Sequence, residues 1–137
     1  MTPTLPRNIG ARINVQTGID PANASAGTTN GAAIDRRGFL SCVLHHAAGA
    51  ATGSPSAQTA DAKLQDSADG SGGWADLSGA AAAQLTADDT EDELDIDLSA
   101  AKEFIRVVSV VGFTDGTTPA IPVAATVVLG GSDTEPV

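Results

Sequence analysis

The sequence predicts an all-β protein: a small antiparallel β-sandwich or barrel that follows an extended N-terminal arm. Roughly six to eight short segments of β-branched or alternating apolar residues are separated by glycine-rich turns. Only one stretch has possible helical content. The 137 residues, 42% of them hydrophobic, suffice for one domain with a single core. Because only 3% are aromatic, that core is thin, and burial against partner subunits would add to it.

Charge and cysteine content narrow the function classes. Seventeen acidic and seven basic residues give a formal charge of −10, which opposes direct binding to nucleic acid or to anionic membranes. Cys42 is the single cysteine, so no intrachain disulfide can form. We find neither an apolar signal segment at the N-terminus nor a stretch long enough for a membrane helix. We therefore expect a soluble protein that is made in the cytoplasm.

The first third of the chain alternates between strand and turn signals. Residues 1–8 contain two prolines and are expected to form the extended arm, and Ile9 to Gln16 is a candidate strand. Residues 17–31 are polar and rich in turn formers, which predicts a long loop before a short edge strand near Ile34.

The central part predicts a core strand and a hairpin. Phe39 to Ala47 is bounded by glycines within about ten residues, as is typical of a buried strand. Asp61 to Ser67 alternates and leads into a glycine-rich turn, after which Trp74 to Leu77 can return as the partner strand.

An ambiguous segment follows at residues 79–94. It predicts either a turn of helix or an acidic loop, and Thr86 with Asp89 could form a capping box. Beyond it, Leu94, Ile96 and Leu98 alternate with aspartates, which indicates a half-buried strand.

The strongest β signal lies at residues 102–112 and 121–131, which we expect to pair as a C-terminal hairpin with its core around Ile105 to Val111 and Val123 to Leu129. Both faces of the first strand are apolar. Either a second sheet and another subunit each cover one face, or the strand lies centrally in a sandwich. A single β-domain over residues 9–131 is thus followed by a flexible acidic tail over 132–137.

The stretch LQDSADGSGGWADL, residues 64–77, admits three interpretations. As an EF-hand loop it would offer Ser67, Asp69 and Ser71 as the first ligands, but Ser78 would replace the bidentate glutamate. Ser67, Asp69 and Trp74 also have the spacing of the aspartate box of sialidase-type propellers, which is a structural turn. We favour a plain hairpin turn built on Asp69-Gly70, with Trp74 covering the apolar side of the hairpin.

Two other groups of polar residues suggest chemistry only superficially. In a strand, Cys42 and His46 share one face and His45 the other, so the three do not converge on a metal, and Cys42 is best read as a small buried residue. Asp88 to Asp97 holds seven carboxylates, but no aromatic pocket residues accompany them, which indicates a solvated acidic face rather than an acid–base pair. We find no phosphate loop and no nucleophile motif. We expect no enzyme activity, no catalytic, cofactor-binding or metal-binding residues, and no cofactor.

Three stretches together show a family resemblance: AKLQDSADGSGGWADL (62–77), LTADDTEDELDIDLSAAKEFIRVVSVVG (85–112) and PAIPVAATVVLGG (119–131). They resemble small virion proteins encoded beside the major capsid protein in tailed phages and phage-like gene transfer agents. Those proteins share a Leu-Gln-x-Ser-x-Asp-Gly run with a Trp, a basic residue before an aromatic-Ile-Arg-Val-Val strand, and a late Val-Val-Leu-Gly. The likeness covers roughly residues 39–131.

The resemblance implies a structural protein on the outer surface of a phage-like capsid, either decorating it or forming the vertex base of a head spike or fibre. It implies contact with the major capsid protein, a trimeric or pentameric homo-oligomer, and a spike or fibre protein on top. The alternative is a carbohydrate-binding module for host adhesion, against which the single Trp and the absence of Tyr argue, because sugars stack on aromatic platforms.

Overall fold

The computed structural model, which describes residues 8–132, is a sandwich of two antiparallel sheets and confirms the all-β class. A 3-10 turn at Ile9–Ala11 precedes nine strands. The strands are β1 (Asn14–Ala24), β2 (Gly27–Asn30), β3 (Ile34–Asp35), β4 (Phe39–Ala48), β5 (Ala57–Ser67), β6 (Ala75–Ala81), β7 (Thr90–Asp97), β8 (Phe104–Thr114) and β9 (Ile121–Ser132).

The order of the strands within each sheet differs from their order in the chain. Sheet A has the order β1-β9-β4-β7, and sheet B has the order β2-β8-β5-β6, with β3 also pairing to β8. From β4 onward the chain passes from sheet A to sheet B, returns at β7, and crosses again at β8 and at β9. The hairpin β5–β6 is therefore the one local pairing of this half of the described chain.

The core lies between the sheets and is aliphatic. Leu44 and Val127 of sheet A and Leu64, Ile105 and Val107 of sheet B are fully buried and belong to one continuous cluster. Burial alternates along β4, β5 and β9, so their other residues point away from the core. The predicted strands at Phe39 to Ala47, near Ile34, and around Leu94 to Leu98 are confirmed, as is the central hairpin.

The predicted C-terminal hairpin is wrong. Strand β8 pairs with β2, β3 and β5 in sheet B, whereas β9 pairs with β1 and β4 in sheet A. The link between them takes left-handed backbone at Asp115, Gly116 and Thr118, and its Thr117 N–H donates to the Gly53 carbonyl at 2.8 Å. The link thus carries the chain across the sandwich, and β8 is apolar on both faces because it lies centrally in its sheet.

The predicted loop over residues 17–31 is also wrong, because most of it is strand. β1 continues to Ala24 along β9, with its ladder interrupted between Thr17 and Ile19 and again between Ile19 and Ala22. Pro21 lies in the second interruption, where a missing N–H removes no ladder bond. The turn formers in this segment mark bulges in an edge strand rather than a loop.

The start of β1 and the segment 79–94 differ in part from the sequence prediction. β1 begins at Asn14, because Ile9–Ala11 forms a 3-10 turn rather than the start of a strand. The segment 79–94 forms the end of β6, a loop and the start of β7; Asp89 is left-handed, which rules out a capping box with Thr86. The predicted arm and tail lie outside the described residues except for Asn8 and Ser132.

Candidate interaction surface

The turn at residues 67–74 is organised by two side chains. The buried Ser67 hydroxyl accepts the Gly70 N–H at 3.1 Å and lies within hydrogen-bonding distance of the Gly72 carbonyl. Asp69 Oδ1 accepts the N–H groups of Ser71 and Gly72 at 3.0 and 3.1 Å. These bonds lower the pKa of Asp69. Oδ1 of Asp69 thus closes the turn through backbone N–H groups, as the turn interpretation predicts.

Trp74 packs on a polar surface, not on the apolar side of the hairpin as we expected. The Arg106 guanidinium lies over its ring at 4.5 Å from the centroid. Arg106 also donates to Gln65 Oε1 at 2.7 and 3.0 Å, and the Gln65 amide donates to Asp76. Trp74 caps a network on the outward face of sheet B because β8 presents Arg106 there. One ring face is therefore occupied by a cation.

Cys42 and the two histidines occupy the faces that alternation predicts. Cys42 and His46 point into the core, where burial raises the pKa of the Cys42 thiol to about 12 and lowers the pKa of His46. His45 points outward and lies 3.1 Å from Glu91. Between residues 8 and 132, no group of three or more His, Cys, Asp or Glu side chains is arranged to hold a metal ion.

The seven carboxylates of Asp88 to Asp97 divide between structural roles and an exposed row. Asp88 accepts from the Ala51 N–H and from Gln58, and Asp92 accepts from the Ala83 N–H. The outward residues of β7 are all exposed, and we call them the acidic row: Glu91, Glu93, Asp95 and Asp97. Asp97 also accepts the Ser99 N–H, which lowers its pKa.

The outward face of sheet A places apolar residues beside the acidic row. The registers align Val15, Val128 and Val43 across three strands, ending at Asp95. The next line of outward residues contains Thr17, Thr126 and His45 and ends at Glu93, and a further line contains Ala124 and Ala47 and ends at Glu91. Each line thus runs from apolar or short side chains to a carboxylate.

A shallow depression of about 580 Å³ interrupts this face at one end. It arises where Gly130 and Ser41 carry little or no side chain, and it is bordered by Ile13, Val43 and Val128. Asp95 and Asp97 line its acidic side. An apolar side chain inserted there would lie next to two carboxylates.

Basic residues lie outside the strands that form this surface. Within residues 8–132, the Lys and Arg residues are all outside the four strands of sheet A: Arg12, Arg36, Arg37, Lys63, Lys102 and Arg106. The strands of sheet A thus carry carboxylates without Lys or Arg, whereas sheet B and the loops carry charged side chains of both signs. Sequence reasoning identified the acidic strand and the surplus apolar faces, but not that they form one surface, because the four strands are distant in the chain.

Comparison with known proteins finds a similarity of fold but not of sequence. No protein family matches the chain, and no curated protein matches it at a significant level. In the described part of the chain no helix is long and apolar enough to cross a membrane. A chain in the structure of infectious bursal disease virus, Gx strain, matches with a TM-score of 0.55 and 13% identity, covering 90% of this chain. This protein spans only 33% of that viral chain. The SPBc2 prophage-derived protein YomS matches with a TM-score of 0.45 and 15% identity, covering 85% of this chain and 92% of its own.

Proposed function

We propose that the protein is a non-enzymatic structural component of a phage-like particle and lies on the outer surface of the shell. It decorates capsomers or forms the vertex base of a head spike or fibre. The observation that carries this proposal is the outward face of sheet A, a flat, partly apolar surface with a row of carboxylates. Such a surface suits protein–protein contact better than catalysis.

Three further observations support the proposal. The sequence from residue 39 to 131 resembles small virion proteins encoded beside the major capsid protein. The sandwich fold is shared with part of a chain from a virus structure, with a TM-score of 0.55. The charge of −10 fits a position outside the shell, because a carboxylate-rich protein next to packaged DNA would be repelled by it.

The distribution of reactive groups supports a non-enzymatic role. The buried thiol of Cys42 is held protonated, His46 is inside the core, and Asp69, Asp88 and Asp92 bind backbone N–H groups. His46 and Asp92 are neighbours in the register of β4 and β7, but the His46 ring is buried and Asp92 accepts the Ala83 N–H. Groups that are buried or bonded to the backbone are poorly placed to exchange protons with a bound substrate.

The carbohydrate-binding alternative depends on a single, partly covered ring. Trp74 is half-buried and one face of its ring is covered by Arg106. A sugar would need to displace that cation or stack on the opposite face of the ring. We therefore propose the structural role alone, with assembly into trimers or pentamers at a symmetry axis.

Quantitative composition of purified particles tests this proposal. We expect this chain in a fixed ratio to the major shell protein and accessible to antibody on intact particles. Particles made without its gene should still contain DNA. Absence of the chain from washed particles, or its accessibility only after particles are opened, would contradict the proposal.

A further inference from the structure

We propose that the outward face of sheet A is the docking surface, and that it binds a protein partner presenting apolar side chains next to Lys or Arg. The identity of that partner as the particle shell rests on the proposed function. The chemistry of the partner follows from the face itself.

The shape of the face favours a protein surface as occupant. Its outward residues are mostly Val, Thr, Ala, Ser and Gly, and His45 is the larger side chain among those of the central strand β4. Val15 is 60% exposed although it is apolar and lies in line with Val128 and Val43. Covering these three valines removes apolar area from water, and the depression between Ile13 and Val43 can receive one projecting side chain.

The charge of the face specifies the partner. Successive members of the acidic row are two residues apart on one strand, about 7 Å, so the four carboxylates extend for about 20 Å. Among the described residues, the strands of sheet A contain neither Lys nor Arg; His45 on β4 contacts Glu91, and Arg12 precedes Ile13 outside the strands. Lys or Arg side chains from a partner would supply the missing opposite charge along the edge of the apolar area.

A second copy of this chain fits the face less well. If two sheet A faces packed together, the acidic row of each copy would meet strands that contain no Lys or Arg. On the outward face of sheet B, Lys63 is bonded to Asp76 at 2.9 Å, and Arg106 is held by Gln65 and Trp74. Docking sheet A on sheet B of another copy would require those cations to leave their partners. Nucleic acid is excluded by the same carboxylates.

Val15→Asp tests the apolar part of the face, with Val110→Asp as its matched control. Both valines are exposed on strands, but Val110 lies on the outward face of sheet B. Purified protein is added to particles made without it, and bound copies are counted after sedimentation. We expect Val15→Asp to weaken binding about tenfold or more, and Val110→Asp to bind like the unchanged protein.

The double variant Glu93→Gln with Asp95→Asn tests the acidic row without placing a charge in the apolar area. Its control, Asp89→Asn with Asp115→Asn, changes the net charge equally at two turn residues whose left-handed backbone Asn also adopts. We expect the row variant to bind more weakly and to lose part of the salt dependence of binding. The control should retain both.

The outcomes separate this inference from the proposed function. If the unchanged protein fails to bind the particles, the proposed function fails, and the docking partner with it. If the unchanged protein binds and the Val15 and acidic-row variants bind equally well, the particle role stands and this docking face is wrong. If Val15→Asp instead changes the mass of the free protein in light scattering, the face joins copies of this chain, which also contradicts the inference.

Discussion

Single polar side chains determine the local geometry of this sandwich, and Ser67 is the clearest case. Its hydroxyl is fully buried and contacts the Gly70 N–H and the Gly72 carbonyl within the turn between β5 and β6. The sequence predicted this turn from Asp69-Gly70, because the chemistry of such turns is local. The stacking of Trp74 under Arg106 was not predicted, since it joins β8 to a turn 32 positions earlier in the chain.

Ser67→Ala is expected to lower the free energy of unfolding by about 1–3 kcal/mol, because it leaves the Gly70 N–H and the Gly72 carbonyl without this partner. Chemical denaturation measures the change. Ser78→Ala, at an exposed position of β6, is the control and should change stability by less than about 0.5 kcal/mol. Equal losses in the two variants would contradict the role given to Ser67.

His46 should make the fold sensitive to mild acid. Neither nitrogen of its ring has a hydrogen-bond partner among the described residues. Burial lowers the pKa of His46. Asp61 and Asp92 favour its charged form and His45 disfavours that form, but burial has the largest effect. Below the ordinary histidine pKa of 6.5, His46 binds a proton in the unfolded chain but not in the folded chain. Stability should therefore fall as pH drops below about 6.5, by at most about 1.4 kcal/mol per pH unit.

Unfolding measured between pH 7 and pH 5 checks this expectation. His46→Met, of similar size and apolar, should abolish most of the loss. His45→Met, at the adjacent outward position, should leave the loss in place. An identical pH dependence in all three proteins would show that another group titrates in this range.

At the scale of elements, the strands were predictable and their partners mostly were not. Alternation identified β5 and β7, and bounding glycines identified β4, because both signals are local properties of the chain. The pairing of β8 and β9 was mispredicted, because two apolar strands joined by a turn-rich link are compatible both with a hairpin and with a connection between the two sheets. The choice depends on β1, β4 and β5, which are distant in sequence.

The packing of the link after β2 against β1 depends on a close approach between two glycines. A Cβ on Gly31 would overlap the Gly18 carbonyl oxygen, which is backbone and cannot rotate away. Gly31→Ala is therefore expected to lower the free energy of unfolding by about 1–3 kcal/mol or more. Gly72→Ala, where a Cβ meets nothing within 4 Å, should leave stability unchanged or raise it by up to about 1 kcal/mol. Comparable melting temperatures for both variants would contradict this packing.

At the scale of the whole molecule, the strands of sheet A carry carboxylates but no Lys or Arg, and one partly apolar face of this sheet is uncovered. Composition predicted an acidic protein, and the strand and turn pattern predicted the all-β class with apolar strand faces to spare. The outward face of sheet A could not be predicted, because it combines residues from four strands that span positions 14 to 132. Only the registers bring Val15, Val43 and Val128 into one line that ends at Asp95.

The most direct test of a particle-surface role is a reconstruction of the intact particle at a resolution that separates the two sheets. We expect density for this sandwich outside the shell, with the acidic row of sheet A directed at the shell and near its Lys or Arg side chains. Sandwich density inside the shell, sheet A directed toward solvent, or no density for this chain would contradict it.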